Sequence, residues 1–264
     1  MQLEFGFPLG PPDGRYLTRL HGGGPTEAVL VLATLGSRER RRPARRRARA
    51  VEDADPEPVT TSRATVVRPE PFPSRQDASA WLETLRRDER AALAQRDAAI
   101  RVINRALRAH RAAAADPYAA DVSAQRSLVT RIGYGLGEAL AEGRFAEALE
   151  LRPAGAQRFK RSMEAPAERF AALFGGRERA LVAEELVLRA RCDLDADRPR
   201  EAALQARVAL EALAAELAGV DLDPWRGPIA DAANEALSDE PARSGLEEAV
   251  TAMESALRRH RLGG

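Results

Sequence analysis

The chain has 264 residues, 44% of them apolar and 31% charged, enough for one large domain or two smaller ones with a real core. A net charge of +1 excludes a global field that would gather nucleic acid or an anionic membrane, so any electrostatic partner has to be recruited locally. A single cysteine, Cys192, excludes a disulfide framework and a multi-cysteine metal site, and it points to a reducing compartment.

The first seven residues lack the cationic start and long apolar run of a signal peptide, and nowhere do eighteen apolar residues run together. The expected location is therefore the cytoplasm. Lys160 is the only lysine, and arginine, alanine and proline are abundant. That usage is expected of a high-GC bacterial genome, and it weakens the information carried by any arginine-rich stretch.

Residues 1–75 read as a small β-rich domain. Gly14-Arg-Tyr-Leu-Thr-Arg-Leu20 alternates and ends in the turn cluster His21-Gly-Gly-Gly-Pro25. Ala28-Val-Leu-Val-Leu-Ala-Thr-Leu35 is an apolar run closed by Gly36, which suits a buried strand. A third strand is predicted over residues 60–68, stopped by Pro69, Pro71 and Pro73. Two or three antiparallel strands need a helix across one face to be stable.

Between the second and third strands, residues 37–58 carry eight arginines from Arg38 to Arg49, then Glu52, Asp53, Asp55 and Glu57. No apolar period survives there, so the segment is expected to be a disordered loop. Arg40, Arg41, Arg42, Arg45, Arg46 and Arg47 are the candidate contacts for phosphates. No aromatic residue interleaves them, so base stacking is absent.

Helical period begins at Asp77. Trp81, Leu85, Ala92, Ala99, Ile103 and Ala106 recur at steps that place them on one stripe, predicting one helix to about His110, with Asp116-Pro117 as its stop. Val122, Val129, Ile132, Leu136 and Ala139 predict a second helix ending near Gly143, so residues 76–150 are expected to form a long antiparallel helical hairpin. Further helices are predicted near residues 167–174, 178–194, 200–217, 229–237 and 246–261, making 151–264 a helical bundle.

Two turns resemble the tetratricopeptide helical hairpin. In the first, Tyr134-Gly-Leu-Gly-Glu-Ala-Leu-Ala-Glu-Gly-Arg-Phe-Ala-Glu-Ala-Leu149, Gly137 would admit a close helix contact and Gly143 would end the first helix in the left-handed region. Tyr134, Phe145 and Ala148 would then complete the helix packing. In the second, Leu188 to Leu210, Ala190, Leu194, Ala202 and Ala206 fall where the family keeps small or apolar residues, Asp197 replaces its usual Gly, and Pro199 opens the second helix. The resemblance covers about a quarter of the chain. It implies a mainly α, tetratricopeptide-like C-terminal part with a surface for peptides or partners and no catalysis.

Motifs that carry chemistry are missing or broken. His21-Gly-Gly-Gly24 has no Gly-x-Ser-x-Gly elbow to serve, and Gly133-x-Gly135-x-Gly137 follows no predicted strand and reads as small residues at a helix contact. Asp193-x-Asp195-x-Asp197 starts like a calcium loop, but Arg198 and Leu204 stand where Gly and Glu are needed. Cys192 is read as a buried thiol and Trp225 as a loop residue tucked onto the helices. The expected function is thus a non-enzymatic, cofactor-free helical interaction protein that binds another protein or peptide. The alternative is a nucleic-acid-associated accessory factor acting through residues 38–49.

Overall fold

Six antiparallel strands form one sheet in the computed structural model, which describes residues 1–19, 25–36, 60–152, 166–217, 219–238 and 241–263. They are β1 (Gln2–Phe5), β2 (Gly14–Arg19), β3 (Thr26–Leu35), β4 (Thr61–Val67), β5 (Val129–Tyr134) and β6 (Glu147–Glu150), in the spatial order β2-β3-β4-β1-β5-β6. The chain divides into two units, Met1–Lys160, which holds the sheet, and Arg161–Gly264, whose described residues form helices and the turns between them. The fold is therefore mixed α+β, with a larger sheet than the sequence predicts. The residues of the expected arginine-rich loop lie outside the described residues.

In the first unit, alternate strand residues face α1 (Arg75–Arg87) and α2 (Glu89–Ala114). Leu3, Phe5, Leu30, Leu32, Ala64 and Val66 meet Ala99, Ile103 and Leu107, while Ile132 and Tyr134 meet Ala78, Leu82 and Leu85. The period-two pattern of buried side chains is what a half-buried antiparallel sheet requires. The single helix expected from Asp77 to about His110 is two helices. Asp88 ends α1, and its carboxylate accepts the Ala91 N–H at 3.0 Å, capping α2. No glycine or proline marks this break.

The expected helix over Val122 to Ala139 is corrected to the strand β5, the short helix α3 (Gly137–Ala141) and then β6. Val129, Thr130 and Ile132 are β-branched, and Thr130, Ile132 and Tyr134 are buried in strict alternation. The apolar residues three and four apart coincided with a helical period by chance. Residues 76–150 are accordingly not a helical hairpin: β5 pairs with β1 and extends the sheet that β1–β4 begin.

The second unit contains α4 (Pro166–Phe174), α5 (Val182–Asp195), α6 (Pro199–Glu216), α7 (Asp223–Ser238) and α8 (Arg243–Gly263). Its core is rich in alanine: Ala183, Ala190, Ala202, Ala206 and Ala209 pack with Val187, Leu194, Leu213, Val250 and Met253. Small side chains let helix axes approach closely, and burial of the few large ones supplies most of the driving force. Trp225 is in the first turn of α7, packed on this core, where a loop was expected. Among the described residues no helix is long and apolar enough to cross a membrane.

Candidate functional site

In the second unit α5 and α6 form the tightest helical pair. The Glu216 carboxylate at the end of α6 accepts the Val182 and Ala183 N–H groups at 3.0 and 2.9 Å, so the two helices run antiparallel and α6 caps the start of α5. Asp197 makes the turn with φ 60, and Pro199 occupies the first turn of α6, where its missing N–H costs nothing. Ala190, Leu194, Ala202 and Ala206 are all buried.

One carboxylate ties this pair to its neighbours. Glu184 on α5 accepts Arg169 of α4 at 2.7 Å and Arg261 of α8 at 2.8 Å. Burial raises its pKa, but the Arg169 hydrogen bond and the Arg261 charge outweigh that and hold it below the ordinary carboxylate range.

The outer faces of the same pair carry apolar side chains. Leu188 on α5 is 62% exposed, and Leu204 and Val208, one turn apart on α6, are 40% and 50% exposed. Cys192, one turn beyond Leu188, is exposed as well, which corrects the buried thiol expected from the sequence. Charged pairs flank these residues: Arg189 with Glu185 at 2.9 Å, and Arg207 with Glu211 at 3.9 Å.

In the first unit the sheet face opposite α1 and α2 is polar. Its central cross-strand row runs Arg15, Val31, Thr65, Gln2, Arg131 and Glu150, one residue from each strand. Arg63 and Glu4 face each other in the next row on the same side. A strap, residues 135–146 between β5 and β6, folds over this face and carries α3. Glu138 on α3 takes two hydrogen bonds from Arg15, at 2.9 and 2.5 Å, which lower the Glu138 pKa and raise that of Arg15.

The strap's base is fixed on the helix side. The Tyr134 hydroxyl and Arg86 of α1 each donate to Glu147 at 2.8 Å, and both bonds lower the Glu147 pKa. Nearer β6 the strap lies close on the sheet: a Cβ on Gly143, which has φ 78, would stand 2.8 Å from Arg63 Nη1 and 3.0 Å from Gln2 Oε1.

The residues picked for a helical hairpin therefore occupy this strap and its two strands. Tyr134 is buried on β5, Gly137 starts α3, Gly143 ends the turn after it with the expected positive φ, Phe145 is half-buried before β6, and Ala148 is on β6. The close approach expected at Gly137 is corrected, since a Cβ there meets nothing within 4 Å. The close approach belongs to Gly133, whose Cβ would lie 2.2 Å from the Glu147 carbonyl oxygen. Arg40, Arg41, Arg42, Arg45, Arg46 and Arg47 lie outside the described residues.

A cavity of about 360 Å³ opens at the end of the sheet, between residues 8–13 and the ends of β3 and β4, with Asp13, Thr34, Ser62 and Arg63 in its wall. Asp13 is already engaged, accepting the Thr34 N–H at 2.8 Å and its hydroxyl at 2.9 Å. Among the described residues no group of three or more His, Cys, Asp and Glu could hold a metal ion. No known family, no curated protein and no solved structure matches this chain.

Proposed function

We propose that the chain is a non-enzymatic interaction protein whose second unit binds an amphipathic helix of a partner protein on the outer face of the α5–α6 pair. The observation that carries this reading is the exposure of Leu188, Leu204 and Val208 on two adjoining helices of one antiparallel pair. Apolar side chains set one helical turn apart and rimmed by charges match the ridge of an amphipathic helix with charged flanks. The flanking charges are of both signs, Glu185 and Arg189 on α5 and Arg207 and Glu211 on α6, so the complementary helix carries both signs beside its apolar stripe. The resemblance of α5–α6 to a tetratricopeptide hairpin supports the same reading, because such hairpins serve as partner-binding surfaces.

The test compares cross-linked partners of the full chain with those of a Leu188→Glu, Val208→Glu variant whose helical content and melting match the parent. Both residues are exposed, so the substitutions leave the core intact. The partner should disappear from the variant and persist in moderate salt and after nuclease treatment. Capture that survives both substitutions refutes the surface, and capture abolished by nuclease moves nucleic-acid contact through residues 38–49 to first place.

A further inference from the structure

Two buried polar atoms on the strap side of the sheet have no hydrogen-bond partner among the described residues, Gln2 Oε1 and Thr65 Oγ1, and Gly143 of the strap lies against the first of them. Both residues are only 1% exposed, and they stand directly opposite each other across β1 and β4. The Gln2 amide cannot be turned round to relieve the first. Its nitrogen donates to Glu4 Oε1 at 2.7 Å, and a carboxylate in that place accepts only a donor. The amide oxygen is therefore directed at the strap. Leaving a buried acceptor unpaired is unfavourable, so the covered state carries a penalty that a partner group would remove.

Beside these atoms lies Arg63, which makes no ion pair or hydrogen bond among the described residues, although each neighbouring arginine of this face has an acidic partner, Glu138 for Arg15 and Glu4 and Glu150 for Arg131. Arg63 also forms part of the wall of the cavity at the sheet end. The strap, which lies against Gln2 and Arg63 at Gly143, is held elsewhere by the exposed Arg15–Glu138 pair and carries Leu136, 83% exposed. Nothing in that anchoring resists lifting strongly, and Gly143 blocks the floor only while the strap is down.

We propose that Gln2, Thr65 and Arg63 form the floor of a small-molecule site with residues 135–146 as its lid, and that the ligand is a compact oxyanion that also carries an O–H or N–H donor. The guanidinium takes the oxyanion through its planar fork. Gln2 Oε1 accepts a hydrogen bond from the ligand's donor, and the Thr65 hydroxyl completes the set by donating or accepting one. Lifting the strap also frees Arg15 from Glu138, which leaves a second cation in the same row, two strands from Thr65 with Val31 between them. This site is in the first unit and stands or falls independently of the partner surface on the second.

Matched probe pairs test it, because each pair differs in the donor alone: glycolate against acetate, and inorganic phosphate against sulfate at neutral pH. Binding is read as saturable changes in the amide NMR signals of β1 and β4. Glycolate or phosphate should give saturation while its donor-free counterpart does not, and the stronger of the two identifies the oxyanion as carboxylate or phosphate. Arg63→Met should remove the response with the amide spectrum otherwise preserved, and Gln2→Met should remove the donor preference. Glu138→Gln leaves the floor untouched and releases the strap, and because the strap-down form is the one populated, it should tighten binding by roughly tenfold or more. Equal responses to both members of each pair, no saturation with any probe, or unchanged affinity in Glu138→Gln overturns the proposal.

Discussion

Gly133→Ala should destabilise the first unit strongly, while Gly137→Ala, four residues on, should not. A Cβ at Gly133 would lie 2.2 Å from the Glu147 carbonyl oxygen and 2.8 and 2.9 Å from Cα and Cβ of Ala148. Ordinary carbon contacts begin near 3.5 Å, so β6 must move by about 1 Å or more, and the atoms in the way are backbone. Overpacking of this kind costs about 1–3 kcal/mol, and each β5–β6 hydrogen bond lost adds about 0.5–1.5 kcal/mol. The lower entropy of the unfolded alanine chain returns about 0.4–1 kcal/mol, leaving a net loss on the order of 2–4 kcal/mol. For a unit of this size that is a fall in Tm of roughly 5–15 °C. At Gly137 the added methyl meets open space at the start of α3, so the same exchange should be neutral or slightly stabilising. Each unit holds one tryptophan, Trp81 in the first and Trp225 in the second, so a Trp225→Phe background reports the first unit alone by fluorescence during urea unfolding. A Gly133→Ala midpoint equal to the parent's, or a larger loss from Gly137→Ala, would refute the strand pairing assigned here.

Two further outcomes are expected. Asn104, buried on α2, donates to the Val122 carbonyl at 2.9 Å and accepts the Val122 N–H at 2.8 Å, so Asn104→Leu should cost on the order of 2–4 kcal/mol and speed exchange of the Val122 amide. An exchange rate unchanged by the substitution would contradict that clamp. Glu184 has a pKa lowered in the folded state by Arg169 and Arg261 against the opposing effect of burial, so its contribution is present above the unfolded value of 4.5 and is lost as pH falls through the lower folded value. In a Trp81→Phe background the second unit should lose stability below about pH 4.5, and Glu184→Gln should flatten that acid limb. An acid limb of the same slope in Glu184→Gln would show that other groups govern it.

The parts of the fold legible from the residues were those with a strong local signal. The apolar run of β3, the alternation of β2 and the β-branched stretch of β4 all lie where the sequence places strands, and the C-terminal helices begin or end at proline, glycine or aspartate turns, except that Gly227-Pro228, before the helix expected at 229–237, lies inside α7. β1 and β6 have four residues each, too few for an alternation to stand out. Their pairing is also non-local: β1 lies between β4 and β5, far from either in the chain. For β5 the signal was present, because Val129, Thr130, Ile132 and Tyr134 favour a strand and two glycines beside them disfavour a helix. A helical stripe drawn through spacings of seven, three, four and three residues was the weaker pattern.

Both proposed sites depend on residues that break the pattern of the element that holds them. On α5, Leu188 and Leu194 are six residues apart, about 120° from each other round the helix at about 100° per residue, so with Leu194 central in the buried face Leu188 falls off its edge. That arithmetic places Leu188 and Cys192 outside once Ala183, Val187, Ala190 and Leu194 define the inside. The exposed leucine was readable in that sense, as a mismatch with its helix. The floor under the strap was not readable, because Gln2, Arg63 and Thr65 occupy polar positions in strands whose apolar alternates face α1 and α2, and by alternation alone they belong in water. Gln2 and Thr65 are nonetheless buried and Arg63 half-buried, on the face over which residues 135–146 fold, held by Glu147 against Tyr134 and Arg86 and by Glu138 on Arg15, a residue 123 positions away. A buried acceptor without a partner arises only from that long-range covering, so periodicity recovers the scaffold and leaves the candidate site to the tertiary structure.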